Sequence, residues 1–297
     1  MSISDNDALS ASVTLKTDPG KGRYTVASED IKIGSIIAAE EPTAFILNPD
    51  DSSLILEFCH NCLRQIPMSF VPCEGCTSVI FCSKDCRKSA MSKTHRFECE
   101  LDLYGMRSRS NASSFRIFLA LQTILQYPID EIDKLQKSHL MKMVAHEQIR
   151  IFEVELKNLA ITTLILILLR KTSYYLKQSL KDDKPPENLT QQELKLAEMI
   201  DRLLRIQNYN THPILTTNAI TDNLTSNQND FSVGLCRIGD SINVAIGSNF
   251  NHSCNPNTLR INSLGSPRTY LIASRNIPKG IYFFLKKYST ITLMFHF

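Results

Sequence analysis

Seven of the nine cysteines in this 297-residue chain lie between Cys59 and Cys99. This block reads CHNCLRQIPMSFVPCEGCTSVIFCSKDCRKSAMSKTHRFEC and contains four pairs with the spacing of metal ligands. Two pairs are C-x2-C, one is C-x3-C and one is H-x3-C. The pairs are Cys59 with Cys62, Cys73 with Cys76, Cys82 with Cys86, and His95 with Cys99.

Eight such ligands are enough for two tetrahedral zinc sites, one with four cysteines and one with three cysteines and a histidine. Both sites would be closed to water, which is typical of structural zinc. The alternative is a disulfide framework, but an odd number of cysteines in a chain read as intracellular argues against it. The spacing alone leaves open which pairs share an ion. His60 follows Cys59 out of register and is interpreted as a non-ligand.

The composition indicates a folded, soluble chain. Hydrophobic residues make up 43%, and 33 Lys and Arg against 30 Asp and Glu give a net charge of +3. This balance does not indicate direct nucleic-acid binding. The start, MSISDNDALS, lacks the pattern of a secretory signal, and the longest apolar run, residues 159–169, is shorter than the ~20 residues of a membrane span. We therefore predict a buried helix there, an intracellular protein and no membrane partner.

Both flanks of the cysteine block show regular periodicity. Upstream, the basic glycine turn GKGR leads into two predicted strands, RYTVAS and SIIAAEEP. One continuous helix is predicted from Ser83 to Cys99. Downstream, SSFRIFLALQTILQY, the long stretch from VAHEQ to SYYL, and LTQQELKLAEMIDRLLRIQNY predict helices, the last with Thr190 as N-cap. Strands are predicted again in VGLCRIG, INVAIGS, TLRINSL and RTYLIASRNI.

The stretch NFNHSCNPNT interrupts these strands with residues that favour turns. From the residues alone it is compatible with a metal site, a nucleophile, a ligand loop or a plain turn. Cys254 is expected to be buried filler rather than a nucleophile, and Cys236, in an apolar strand, is assigned to the core.

Taken together, GKGR, the strand pair, the cysteine block, the helices and NHSCNPNT resemble the SET and MYND domain-containing protein-lysine methyltransferases. The cysteine block is similar to the MYND zinc finger at all eight ligand positions. LSASVTLKTDPGKGRYTVASEDIKIG is especially like the family member that also carries tetratricopeptide repeats. The resemblance covers about residues 10–280. It implies an α+β fold in which a split SET domain of small β-sheets contains an inserted MYND finger and a helical insert.

This resemblance divides the chain into five segments. They are the N-terminal half of the SET domain (10–58), the MYND finger (59–99), the helical insert (100–230), the C-terminal half of the SET domain (231–280) and an atypical tail (281–297). The NHSC loop is expected to pass under the C-terminal segment in a knot-like arrangement.

The resemblance also implies the ligand sets. Ligand pairs interleave in MYND fingers, so one zinc ion is expected at Cys59, Cys62, Cys82 and Cys86, and a second at Cys73, Cys76, His95 and Cys99. S-adenosylmethionine is the implied cofactor, with contacts at Lys21, Gly22, Arg23, Asn251 and His252. His146, in MVAH, is a further candidate contact.

The expected chemistry is methyl transfer to a neutral lysine. An apolar channel lowers the lysine pKa from its usual value of ~10.4, and positioning supplies most of the acceleration. The family's tyrosine follows the IPKG turn in a pattern like GEEIxxxYG, whereas this chain continues with IYFFLKKYSTITLMFHF. Tyr282 and Tyr288 lie off that spacing, and the acidic pair, the closing cysteines and tetratricopeptide repeats are missing. We therefore expect a SET domain truncated at its C-terminal end and assign no catalytic residue; IYFF and ITLMFHF are read either as aggregation-prone or as a substitute strand.

Three hypotheses remain open. The first is an S-adenosylmethionine-dependent methyltransferase acting on lysines of histone or non-histone proteins in the nucleus and cytoplasm. The second is an adaptor whose MYND finger binds partner peptides beside an inactive SET remnant. The third is a defective fragment. The resemblance favours the first, with weak or no turnover expected from this chain.

Overall fold

A computed structural model of the protein describes residues 8–19, 22–47, 52–76, 78–101, 114–138, 140–149, 151–175, 188–215, 231–236, 250–262 and 266–285. The strands are β1 (Ala8–Leu9), β2 (Val13–Asp18), β3 (Gly22–Ala27), β4 (Ile36–Glu40), β5 (Pro42–Ile46), β6 (Val71–Pro72), β7 (Ile80–Phe81), β8 (Thr211–Leu215), β9 (Phe231–Cys236), β10 (Asn251–His252), β11 (Thr258–Asn262), β12 (Thr269–Ala273) and β13 (Phe284–Leu285). The helices are α1 (Ser52–Glu57), α2 (Lys84–Ser92), α3 (His95–Leu101), α4 (Ser114–Ile124), α5 (Ile132–Lys137), α6 (Phe152–Arg170) and α7 (Gln191–Asn210). The predicted α+β class is confirmed.

One six-stranded sheet contains strands from both ends of the described chain, in the order β1-β4-β12-β11-β13-β10. Its N-terminal strand β4 pairs antiparallel with the C-terminal strand β12, with Ala38 opposite Leu271. β13 runs parallel to both β10 and β11. The cysteine block and the long helices therefore interrupt a domain whose two halves meet in one sheet, which confirms the split arrangement implied by the resemblance.

Apolar residues on one face of this sheet form its core. Leu271 and Ala273 on β12 are buried, whereas Thr269, Tyr270 and Ile272 are only half-buried. This alternation is the period of a strand that has one face on the core. The rings of Phe250 and Phe283 meet in the same core, with their centroids 5.6 Å apart.

The β2–β3 hairpin forms a separate two-stranded sheet, with Asp18 opposite Gly22. Gly22 has a φ of +70°, which glycine adopts without the steric cost of a Cβ atom. The hairpin is attached to the C-terminal segment, since Val26 forms a β-bridge with Tyr282 and the Phe283 N–H donates to the Thr25 carbonyl at 3.1 Å. RYTVAS is thus confirmed as a strand, whereas SIIAAEEP is divided between β4 and β5.

The cysteine block folds into the β6–β7 hairpin followed by α2 and α3. The prediction of one continuous helix from Ser83 to Cys99 is wrong, because α2 ends at Ser92 and α3 begins at His95. Lys93 has φ −107° and ψ −107°, outside the helical region, and its N–H donates to the Ala90 carbonyl. The predicted start is correct: Ser83 caps α2 by accepting the Cys86 N–H at 3.1 Å.

The downstream helices pack in the same core as the cysteine block, where Phe81 and Phe97 are buried together with Leu119 of α4, Ile165 of α6 and Leu203 of α7. The prediction that helix begins in VAHEQ is wrong. His146 has φ +46°, a left-handed conformation that a right-handed helix cannot contain, and α6 begins only at Phe152.

The structure also tests the predicted N-cap of α7 and the predicted burial of α6. Thr190 is the N-cap of α7 as predicted, and it forms a capping box with Glu193. The apolar run in α6 is buried on one face only, because Ile165 is 0% exposed while Leu159 is 63% exposed. The predicted buried helix is therefore found, but its outer face is exposed.

The remaining strands β5, β9 and β8 form a three-stranded sheet in that order. β9 contains Cys236, whose side chain lies outside the described residues, as do the predicted strand INVAIGS and residues 286–297 of the tail. Phe284 and Leu285 of the tail enter the six-stranded sheet as β13. Within the described ranges, none of the helices has both the length and the apolarity needed to cross a bilayer.

Candidate metal centre and cofactor site

The first cluster of donors is formed by cysteines from the start and the middle of the block. Their Sγ atoms all lie within 4.8 Å of one another: Cys59, Cys62, Cys82 and Cys86. Cys62 Sγ is 3.7 Å from Cys82 Sγ, and Cys82 Sγ is 3.5 Å from Cys86 Sγ. A tight turn places the first pair, since the Cys59 N–H donates to the Arg64 carbonyl at 2.8 Å. We call these four residues the first quartet.

The second quartet joins the β6–β7 hairpin to α3. Its donor atoms also lie within 4.8 Å of one another: Cys73, Cys76, His95 and Cys99. Cys73 Sγ is 3.7 Å from Cys99 Sγ, and His95 Nε2 is 3.3 Å from Cys73 Sγ and 3.7 Å from Cys76 Sγ. Along the sequence, the pairs of the two quartets therefore alternate: the first and third pairs form the first quartet, and the second and fourth pairs form the second.

These distances fit a tetrahedral ion better than any covalent link between the cysteines. A zinc–sulfur bond of about 2.3 Å at the tetrahedral angle separates two ligand sulfurs by about 3.8 Å. The observed sulfur pairs at 3.5 and 3.7 Å are close to that value and far beyond a disulfide bond of about 2.05 Å. All seven cysteines of the block are free thiols. The donor sets therefore suit zinc, and the disulfide alternative is not found.

Close packing of the thiols shifts their pKa values in opposite directions within each quartet. A hydrogen bond from Cys62 lowers the pKa of Cys59 to about 4. Burial raises the pKa of Cys73, but backbone N–H groups of Gly75 and Cys76 outweigh it and lower that pKa to about 6. Burial and the neighbouring Cys73 raise the pKa of Cys99 to about 12. Each cluster therefore favours one thiolate and resists further ones unless a divalent ion offsets their repulsion.

A buried carboxylate lies between the quartets. Glu98 Oε2 is 3.1 Å from His60 Nε2 and 3.3 Å from His95 Nδ1, and the three residues are 4%, 8% and 1% exposed. Burial alone would raise the pKa of Glu98, but these hydrogen bonds outweigh it and lower the pKa to about 2. His60 Nε2 faces this carboxylate. No sequence motif predicts this role for Glu98. The sequence shows only that Glu98 directly precedes the last cysteine of the block, Cys99.

Strands β3 and β10, next to the candidate cofactor residues, both contact the C-terminal segment 281–285. Gly22 begins β3, which bridges to Tyr282 through Val26. In addition, β10 pairs parallel with β13, with Asn251 opposite Phe284 and His252 opposite Leu285. Lys21 and the side chain of Arg23 lie outside the described residues.

Asparagine and threonine side chains fix the NHSC segment to that strand. Asn257 Nδ2 donates to the Tyr282 carbonyl and its Oδ1 accepts the Phe284 N–H, both at 2.8 Å. Thr258 Oγ1 donates to the Phe284 carbonyl at 2.7 Å. Asn257 lies within NHSCNPNT, and its neighbours in the sequence do not predict this role.

The remaining candidates from the sequence are His146, Cys254 and the two tyrosines of the tail. His146 packs its ring on Tyr209 of α7, with centroids 4.5 Å apart. Cys254 is exposed, so the expectation of buried filler is wrong; its Sγ lies 3.6 Å from His252 Nε2. Tyr282 stacks on Tyr24 with ring centroids 5.1 Å apart, and Tyr288 lies outside the described residues.

Comparison with known proteins identifies the cysteine block. Residues 59–99 match the family model of the MYND finger. Protein-lysine N-methyltransferase SMYD4 of Pongo abelii is 36% identical over 109 residues, which are 32% of this chain and 13% of that protein. The protein of the same name from Gallus gallus is 30% identical over 143 residues, 42% of this chain and 18% of that protein. A SET and MYND domain-containing protein of Dictyostelium discoideum is 32% identical over 96 residues, 30% of this chain and 18% of its own length.

These matches confirm the resemblance to SET and MYND domain-containing proteins. They span less than a fifth of each of these three relatives. A solved structure of the SET domain of LSMT bound to lysine and AdoHcy aligns with 94% of this chain and 50% of its own, at 12% identity and a TM-score of 0.33. That likeness is too distant to describe the site of this chain.

Proposed function

We propose that this chain is a SET and MYND domain protein that binds S-adenosylmethionine. Its proposed activity is that of a protein-lysine N-methyltransferase. The observation that carries the proposal is the C-terminal segment 281–285, which contains β13 (Phe284–Leu285). Tyr282 in this segment bridges to Val26 of β3, and β13 pairs with β10, so the strand that Gly22 begins and the strand Asn251–His252 both contact it. The proposed boundaries are 10–58 and 231–280 for the two halves of the domain.

Gly22, Asn251 and His252 have the exposure that cofactor contacts require. Gly22 is exposed at the start of its strand, with no side chain to obstruct a ligand, and His252 is exposed beside half-buried Asn251. We propose that Lys21, Gly22, Arg23, Asn251 and His252 bind the cofactor, with His146 as a further contact. S-adenosylmethionine supplies the methyl group in such enzymes, and the role of these residues is to position it.

We further propose that the finger holds two structural zinc ions, one in each quartet. The support is the interleaved geometry, the tetrahedral spacing of the sulfurs and the need for a cation beside the thiolates. Both sites have four protein donors, so no position remains for a reacting water. Elemental analysis of purified protein should give two zinc ions per chain.

The proposed substrates are lysine side chains of histone or non-histone proteins in the nucleus and cytoplasm. We expect weak or no turnover from this chain, because no tyrosine stands at the spacing expected after Gly280. An assay with a labelled methyl donor and a mixture of proteins tests this, and robust labelling would show that the argument from the C-terminal sequence is wrong. Imaging of the tagged chain tests the compartments.

Isothermal titration of the zinc-loaded chain with S-adenosylmethionine tests the central proposal. We expect saturable binding with one site per chain, at least about tenfold weaker in Asn251→Ala. Asn255→Ala is the matched control, since Asn255 is exposed on the same loop. Absence of binding by a folded, zinc-loaded chain would overturn the proposal.

A second candidate function is an adaptor in which the finger binds partner peptides. It is favoured by the contrast between two complete donor sets and a C-terminal segment without the tyrosine pattern. Its test is capture of proline-containing peptides by the zinc-loaded chain. Loss of capture in Cys73→Ser but not in Asn251→Ala would favour the adaptor over the enzyme.

A further inference from the structure

We propose that Glu98 is a positioning residue that orients His95 toward the second quartet and, through His60, couples the two metal quartets to each other. The inference rests on the proposed zinc sites. It concerns the groups behind the ligands, which neither the spacing of the cysteines nor the matches to known proteins assign.

The first step is the orientation of His95. Its Nε2 atom lies 3.3 Å from Cys73 Sγ and 3.7 Å from Cys76 Sγ, on the side where the ion would be held. Its Nδ1 atom lies 3.3 Å from Glu98 Oε2. A carboxylate accepts hydrogen bonds only, so Nδ1 must carry the proton and Nε2 must present its lone pair to the quartet. Glu98 thereby selects the tautomer that is able to bind a metal.

The second step is the link to the first quartet. The same oxygen of Glu98 lies 3.1 Å from Nε2 of His60, the residue that follows the ligand Cys59. The His60 backbone N–H donates to the Ile80 carbonyl at 3.1 Å, and its ring packs edge-on against His95 with centroids 5.1 Å apart. Movement of Glu98 therefore disturbs a neighbour of one ligand set and a member of the other.

The third step connects the pair to the rest of the protein. Gln122, on α4, donates from Nε2 to the second oxygen of Glu98. Gln122 Oε1 in turn accepts a hydrogen bond from Thr94 Oγ1 at 3.0 Å, next to His95 in sequence. Glu98 is 4% exposed, so each of its three donors replaces water that the buried carboxylate has lost. Helix α4 thus holds the group that orients a ligand inside the finger.

The test measures metal retention in the full chain loaded with zinc or cobalt. We expect Glu98→Ala to release the ion of the second quartet about 10- to 100-fold faster to a chelator, as loss of an orienting group behind a ligand does. Glu98→Gln keeps an acceptor oxygen for the histidines and should lie between the wild type and Glu98→Ala. Glu74→Gln is the matched control, because Glu74 is beside Cys73 but its side chain is 80% exposed.

Two readouts separate positioning from mere stabilisation. The visible bands of cobalt in a three-sulfur, one-nitrogen site should shift in Glu98→Ala while those of the four-cysteine site change less. Nitrogen NMR of wild-type His95 should show the proton on Nδ1, and Glu98→Ala should lose that fixed state. If Glu98→Ala does not fold, Gln122→Leu, outside the finger, should still accelerate release of the same ion.

A wild-type chain that binds no zinc overturns the proposed zinc sites. A wild-type chain that binds two ions, with release rates and cobalt spectra unchanged in Glu98→Gln, Glu98→Ala and Gln122→Leu, overturns the role of Glu98 alone.

Discussion

The side-chain oxygen of Asn257 accepts a hydrogen bond from the backbone N–H of Phe284 at 2.8 Å. Its amide nitrogen donates to the Tyr282 carbonyl. One side chain therefore pairs with both a backbone donor and a backbone acceptor of the C-terminal segment 281–285. Asn257 is 2% exposed, which leaves water no access to these groups. The relationship joins the NHSC segment to the strand on which the proposed cofactor site depends.

Replacement of Asn257 by Ala should therefore destabilise the fold and weaken cofactor binding together. The half-buried Tyr282 carbonyl and Phe284 N–H would each lose this hydrogen bond, at a cost of about 1–3 kcal/mol in the free energy of unfolding. Urea unfolding with zinc present measures the loss, and calorimetry measures the cofactor. Asn255→Ala serves as the control, and equal stability of the two variants would contradict the structure.

Gly75→Ala should weaken the second quartet selectively. A Cβ atom at this position would lie 2.6 Å from Cys99 Sγ, closer than two such atoms can approach, so the sulfur would have to leave its place. We expect one ion to be lost readily to a chelator while the other is retained. Glu74→Ala, at the neighbouring exposed position, should keep both ions; loss of both ions at equal rates from Gly75→Ala would count against two separate quartets.

Cys254 should be the most reactive of the described cysteines when zinc is bound. Its thiol is exposed, whereas the seven thiols of the finger would be metal ligands. Alkylation followed by peptide mapping should mark Cys254 first, and a chelator should then expose the others. Saturating S-adenosylmethionine should slow the reaction, since Cys254 follows the proposed contact His252 by two residues. Labelling of finger cysteines at the same rate in zinc-loaded protein would contradict the metal assignment.

Glu193 should make part of the stability depend on pH. A hydrogen bond from Arg170 at 2.5 Å lowers the pKa of this carboxyl below its ordinary value of 4.5, against the opposing effect of burial. A depressed folded-state pKa means that the contribution is present above about pH 4.5 and is lost as the pH falls through the lowered value.

Glu193→Gln tests this without removing the cap, because glutamine at this position retains the capping box with Thr190. We expect a loss of about 1–3 kcal/mol at neutral pH, from the broken charged hydrogen bond. The difference between wild type and variant should shrink in acid, measured by urea unfolding at each pH with zinc content monitored. A difference that grows as the pH falls would show the opposite sign and refute the assignment.

The donor residues and the caps were predictable because they depend on local spacing. Thr190 and Glu193 stand three residues apart, as a capping box requires, and Ser83 precedes α2 in the same way. The sequence did not predict which pairs share a quartet, because the spacing within one pair does not indicate which other pair lies opposite it. That information came from resemblance, and the geometry has the same interleaving.

Other features depend on tertiary contacts that no local pattern contains. The break between α2 and α3 falls at Lys93 and Thr94, which are acceptable inside a helix by propensity. Glu98 reads as an ordinary surface carboxylate until His60 and Gln122 are brought to it from distant segments. The pairing of β4 with β12 likewise joins residues from opposite ends of the described chain.

The split sheet also imposes an order on synthesis. β4 leaves the ribosome long before β12 exists, so its edge stays unpaired while the finger and the long helices are made. Closing so long a loop is slow, but a finger that has already folded around its ions shortens the free chain between the two strands. In a cell with little zinc, the finger would not fold early, and β4 would stay unpaired for longer after synthesis. An unpaired strand edge favours aggregation, which would then compete with folding.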